Sequence, residues 1–120
     1  MQSPTARTLA ECRSRGWIAV VTERWNPYAH VRQDLFGWMD VLALDLLHGI
    51  AIGIQTTSST NHASRVEKVR ELAGPWLVVP GHEAWVWSWS KKGPRGGRKL
   101  WTLREERVDS APLPGAECDE

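Results

Sequence analysis

Hydrophobic positions change period several times along the chain, and each change marks an element. Residues 5–15 set Leu9 and Cys12 in a polar frame, a short apolar stripe at helical spacing. Ser3 or Thr5 can cap that helix, Pro4 suits its first turn, and Gly16 falls just past its end. WIAVVTERW (17–25) is β-branched and aromatic and predicts a strand, ended by Asn26-Pro27. Residues 26–37 are polar and predict an irregular loop. MDVLALD (39–45) and IAIGIQTT (50–57) are nearly continuous apolar runs joined by Leu46-Leu47-His48-Gly49. They predict a central hairpin covered on both faces. A helix is predicted over 61–73, capped by Ser58, Ser59 or Thr60 and stopped by Gly74-Pro75. Val66, Val69 and Leu72 or Ala73 are spaced to face a sheet. WLVV (76–79) reads as a short buried strand. EAWVWSWS (83–90) alternates strictly, so Trp85, Trp87 and Trp89 share one face. Gly93 to Gly97 form a loop, and residues 98–104 return as a strand.

Helices and strands are thus interleaved through one short chain, which predicts a single α/β domain. Its expected architecture is a mixed central sheet flanked by helices, with a C-terminal β-hairpin, over residues 1–108. The acidic, proline-containing stretch 109–120 is expected to be a disordered tail. A chain of 120 residues suffices for one domain with its own core, so neither metal nor disulfide is needed for folding. Cys12 and Cys118 lie near opposite ends and form no zinc or disulfide pattern. No apolar run approaches the ~18 residues of a membrane span, and residues 1–9 lack the apolar segment of a signal peptide. An intracellular, cytoplasmic location without membrane contact is therefore expected.

Charge refines this picture locally. The net charge is only +1, yet residues 88–107 hold seven basic and two acidic side chains. Such a block favours a polyanion, although lysines also guard exposed sheet edges. Eight tryptophans accompany one Phe and one Tyr; most are expected to fill the core, and some could stack on bases.

The central hairpin carries the candidate chemistry. With its loop at 46–49, strand partners sum to about 95 in residue number. Asp40 then lies opposite or diagonal to residues 54–56, with Gln55 and Thr57 on one face. An acid, an amide and a hydroxyl converge at one end of the hairpin. Thr57-Ser58-Ser59-Thr60-Asn61-His62 adds hydroxyls and a helix N-terminus, both suited to phosphate. Plainer roles exist for each residue. Asp40 can end a strand, Gln55 can bond a neighbour, and Glu11 can be solvated. Asp34 can pair with Arg32 on the surface, and Lys68 with Glu71. The four histidines have no metal-ligand spacing, the serines sit in no nucleophile elbow, and Gly93 to Gly97 is no nucleotide loop.

A helix bearing Glu11, a strand, Gly37-Trp38-Met39-Asp40, then Ile54-Gln55-Thr56-Thr57-Ser58-Ser59 and a further helix resemble the core order of the PD-(D/E)XK nuclease superfamily. The likeness is to archaeal Holliday-junction resolvases and small phage resolvase-like proteins, over about residues 8–80. It implies a restriction-endonuclease-like core and a Mg2+- or Mn2+-dependent DNA endonuclease acting on duplex or branched DNA. It also implies a homodimer, no nucleotide cofactor, and a phage origin in a bacterial host. Asp40, Gln55 and Glu11 would be the metal ligands, with Thr57 and Lys68 completing the catalytic set. Arg32, Ser59, Arg65, Lys91, Lys92, Arg95, Arg98 and Lys99 would hold DNA. Gln55 stands where the family has Glu, and Thr57 where it has Lys. Lys68 or Arg65 could restore a cation, and Glu11 or Asp34 a carboxylate. Two other readings stand beside this one: a nuclease-fold DNA-binding module without catalysis, and a viral protein–protein interaction factor with an exposed tryptophan face.

Overall fold

The computed structural model describes residues 2–109. Helix α1 spans Pro4–Ser14. It begins where Ser3 Oγ accepts the Ala6 N–H at 3.1 Å, and it ends before Gly16, whose φ of +83° suits a residue without a Cβ. Strand β1 follows at Ile18–Val21, β2 at Arg24–Asn26 and β3 at Val31–Gln33. Strands β4, Val41–Asp45, and β5, Ile50–Ser58, form the central hairpin. A 3-10 turn at Ser59–Asn61 leads into α2, His62–Leu72, and then α3, Gly74–Leu77. Strands β6, His82–Lys92, and β7, Leu100–Val108, complete the described fold.

Five strands form one sheet in the order β1-β4-β5-β6-β7, and β2-β3 form a separate pair. The sheet is mixed: β5 and β6 are parallel, and the other neighbours are antiparallel. The β4–β5 register pairs Val41 with Ile54, as the hairpin loop at 46–49 predicts. Because β5 is central, both of its faces are buried. Ile52 and Ile54 pack with Cys12, Ala19, Val41, Ala43 and Trp87 beneath α1. On the other face Trp38, Met39, Val66, Val69, Ala73, Ala84, Val86 and Val108 form a second cluster under α2. Ala73, not Leu72, is the buried residue at the end of α2. Burial pushes the Cys12 thiol up to about 11, so it acts as a core side chain.

Gly53 sets how closely these layers approach. A Cβ there would lie 2.6 Å from both Met39 Cε and the distal ring edge of Trp38. Both side chains press onto the bare glycine backbone, and the next residue after them is Asp40.

Several elements depart from the sequence expectation. WLVV is not a strand: Pro75 occupies the first turn of α3, where its fixed φ and missing N–H are tolerated. Val78 and Val79 are exposed beyond it. The 17–25 strand divides at Thr22-Glu23: Thr22 still follows the β1 register, its N–H donating to Asp40 O and its Oγ1 to Met39 O, and β2 begins at Arg24. The 26–37 segment is not all loop. Asn26 Oδ1 accepts from the Tyr28 and Ala29 N–H groups, and that turn folds β3 back on β2. No side-chain cap starts α2. Strand β7 runs to Val108, beyond the predicted end at residue 104. Asp109 is described, whereas residues 110–120 of the expected tail lie outside the described residues.

A buried hydrogen-bond chain holds α2. His62, only 2% exposed, contacts Ser88 Oγ of β6 at 2.7 Å and Glu106 Oε1 of β7 at 2.8 Å. Ser88 is itself 1% exposed, so this Ser-His-Glu chain ties helix to sheet and presents no accessible nucleophile. No helix is long and apolar enough to cross a membrane among the described residues.

Candidate functional site

Three backbone pairings bring distant acids together. Leu35 and Met39 bridge each other across a tight turn, with Leu35 N–H to Met39 O at 3.0 Å and Met39 N–H to Leu35 O at 2.9 Å. Phe36 and Gly37 make that turn at φ of +57° and +83°. Asp34 and Asp40 flank the bridge, one step further out on both sides. The β2–β3 register pairs Arg24 with Gln33, so its next step sets Glu23 beside Asp34. The β1–β4 register ends at Val21 and Val41, and its continuation carries Thr22 to Asp40. Glu23, Asp34 and Asp40 therefore converge, with one carboxylate oxygen from each within 4.8 Å of the others.

Asp40 is the buried member, 4% exposed. Its Oδ2 accepts the Thr56 backbone N–H at 2.9 Å and the Gln55 amide N–H. Burial is the main cause that pushes Asp40 up from 3.8 to about 8. A hydrogen bond shared with Asp34 and the nearby Asp34 and Glu23 charges act in the same direction, against the Thr56 N–H. Near neutral pH the cluster thus retains a proton, which an incoming cation would displace.

Neutralising groups surround the acids. Lys68 Nζ lies 3.3 Å from Asp34 Oδ2, and Arg32 Nη1 lies 3.9 Å from Glu23 Oε1. Gln55 Oε1 is buried without a hydrogen-bond partner among the described residues. The acids open onto a cleft of about 360 Å³ whose wall includes Thr5, Thr57, Ser58, Asn61 and Arg65. The Arg65 Nε is likewise buried and unpartnered among the described residues.

Of the residues singled out in the sequence, Asp40, Gln55, Thr57 and Arg65 line this cleft, and Lys68 reaches it through Asp34. Asp34 pairs with Lys68, not Arg32, and Lys68 pairs with Asp34, not Glu71. Glu11 is not brought in. It bonds Arg15, which also grips Glu105 at 2.9 Å beside Trp17 and Trp87. Only the first turn of α1, Pro4 and Thr5, reaches the cleft; Glu11 lies about 9 Å further along the helix axis. Ser59 is exposed and does not line the cleft, where Ser58 does. Glu23 is a member that residue spacing alone did not reveal, whereas Thr56 lies within the 54–56 span that spacing placed near Asp40. The signal for Glu23 was the polar Thr22-Glu23 pair interrupting an apolar strand.

The basic residues occupy one end of the sheet. Because β5 and β6 are parallel, Ser58 at the cleft lies beside Trp89. Strand β6 runs on past it to Lys91 and Lys92, and the 93–99 connection carries Arg95, Arg98 and Lys99. The basic tip therefore extends from the same end of the sheet as the cleft. The Trp85-Trp87-Trp89 face packs beneath α1, and Trp89 Nε1 donates to Thr8 Oγ1 at 2.9 Å.

Comparison of the chain with family models, curated proteins and solved structures finds no match.

Proposed function

We propose that the chain is a divalent-metal-dependent DNA phosphodiesterase, an endonuclease built on a restriction-endonuclease-like core. The observation that carries this reading is the convergence of Glu23, Asp34 and Asp40 beside the unpartnered Gln55 Oε1. Three carboxylate oxygens form a hard donor set that fits Mg2+ or Mn2+, and Gln55, which lines the same cleft, has an amide oxygen free to join it. The element order also supports it, with an antiparallel hairpin carrying Asp40 and Gln55 between two helices and a parallel strand.

A bound Mg2+ or Mn2+ would polarise the phosphoryl oxygens and lower the pKa of an attacking water. The chain's own groups would do the rest. Glu23, Asp34 and Asp40 would hold the ion. Lys68, paired with Asp34, would take the place that Thr57 cannot fill and would stabilise charge developing on the phosphate. Arg65, Asn61 and Ser58 would bind the flanking phosphate at the cleft wall. The tip around Lys91, Lys92, Arg95, Arg98 and Lys99 would hold the DNA backbone. Water would attack phosphorus as the P–O bond to the leaving strand breaks, leaving a phosphate monoester on one strand end and a hydroxyl on the other, with a water proton passing to the departing oxygen.

The reading as a viral interaction factor with an exposed tryptophan face finds less support, since the Trp85-Trp87-Trp89 face lies under α1. The reading as a binding module without catalysis differs from the proposal in one measurable way. Labelled four-way junction, single-stranded and duplex DNA incubated with Mg2+ or Mn2+ should be cut by wild type and by Glu11→Gln, and not by Asp40→Ala. DNA binding by folded protein with no cutting of any substrate would leave the non-catalytic module as the better reading.

A further inference from the structure

A second hollow lies across the 35–38 turn from the acids. Phe36, Trp38, Leu72, Trp76, Val79 and His82 wall an apolar pocket of about 400 Å³. Its aromatic walls are held in place. The Trp76 ring stacks on His82 at 3.7 Å between centroids, and its Nε1 donates to Glu83 O at 2.8 Å. His82 Nδ1 donates to Trp76 O at 2.9 Å. Trp38 meets Trp76 edge-on at 6.5 Å.

Two features have no role in packing. Phe36 is 62% exposed, and its φ of +57° is a conformation that bulky residues rarely adopt. That backbone keeps its ring at the pocket rim, 6.4 Å from Trp76. Trp38 Nε1 is buried with no acceptor among the described residues, although the residue is 0% exposed. A buried donor without a partner is uncommon in folded proteins.

The pocket and the acidic cleft have a neighbouring hollow in common. A hollow lined by Thr22, Arg24, Gln33, Asp34, Leu35 and Phe36 shares Asp34 with the cleft and Phe36 with the pocket. Arg24 and Gln33 give this bridge a cation and an amide, groups that suit a sugar-phosphate backbone.

We infer that the aromatic pocket receives an unstacked nucleobase from the strand whose phosphodiester lies in the acidic cleft, an inference that rests on the proposed function. Flat heteroaromatic rings match the aromatic walls of the pocket, and Arg24 and Gln33 beside it suit the backbone of the same strand. The substrate class narrows accordingly to DNA with single-stranded or locally unpaired bases next to the cut.

The test is binding in EDTA, without metal or cutting. Anisotropy would compare a labelled oligothymidylate with an abasic deoxyribose phosphate chain of equal length and charge. Wild type should prefer the base-bearing chain by on the order of tenfold. Phe36→Ala, at the exposed rim, should lose most of that preference. Val79→Trp, which fills the pocket, should also lose it. Equal binding of the two chains by wild type, or a preference untouched in both variants, overturns the inference. Metal-dependent cutting with no base preference would overturn the pocket alone. Base preference with no cutting would overturn the catalytic reading alone.

Discussion

Replacing Asp40 by Asn should remove a pH dependence of stability that burial of the carboxyl imposes. Asp40 is held near pH 8 in the fold against 3.8 in its ordinary state. Between these values the folded chain keeps a proton that the unfolded chain releases. Stability therefore falls as pH rises across that window, by up to about 1.4 kcal/mol per pH unit. From pH 5 to 7 that amounts to at most about 2.7 kcal/mol, or roughly 10 °C in Tm for a domain near this size. Asn keeps an oxygen to accept from the Thr56 N–H and the Gln55 amide, and its own N–H2 faces the Asp34 carboxylate. It carries no titratable proton. The assay is thermal or urea unfolding of both proteins at several pH values, with the wild-type-minus-variant difference cancelling the titrating groups that do not interact with Asp40. That difference should grow steadily more unfavourable to wild type up to about pH 8. Mg2+ should narrow it at pH 8, because the ion takes the place of the proton. A difference that stays flat from pH 5 to 8 would refute the assignment of a buried, proton-retaining carboxyl.

Other outcomes follow from the same geometry. Lys68→Met should change stability by less than about 1 kcal/mol, since its pair with Asp34 is partly exposed, yet lower single-turnover cutting by on the order of a hundredfold; quench-flow cleavage and urea melts on one preparation check both. Gly53→Ala should cost about 1–3 kcal/mol by forcing Trp38 and Met39 outward, read by urea unfolding and near-UV circular dichroism. Replacing Lys91 and Lys92 together by Ala should flatten the slope of log K against log salt by roughly 0.7–0.9 for each phosphate that these lysines neutralise, as measured by DNA-binding titrations across salt concentrations.

The hairpin was legible in the sequence because one register satisfies both of its apolar runs, and that register alone brought Asp40 to Gln55. α1 was legible through Ser3 and Gly16, whose chemistry is local. WLVV was not, because an apolar run of four suits a buried strand and a helical turn equally, and only packing beside β6 decides between them. Asp34 and Lys68 were within reach as substitutes for the missing family letters. Glu23 was not, because it joins the cluster through two ladders at once, β2 on β3 and the continuation of β1 on β4. Glu11 misled because its helix does touch the cleft, but only at its other end.

The proposed function requires Glu23, Asp34 and Asp40 to hold a divalent ion. Anomalous diffraction from crystals soaked in Mn2+ at about pH 8 tests it most directly. A peak within bonding distance of all three carboxylates, absent in Asp40→Asn crystals, is the predicted result. A well-ordered cluster with no peak, or a peak elsewhere, would contradict it.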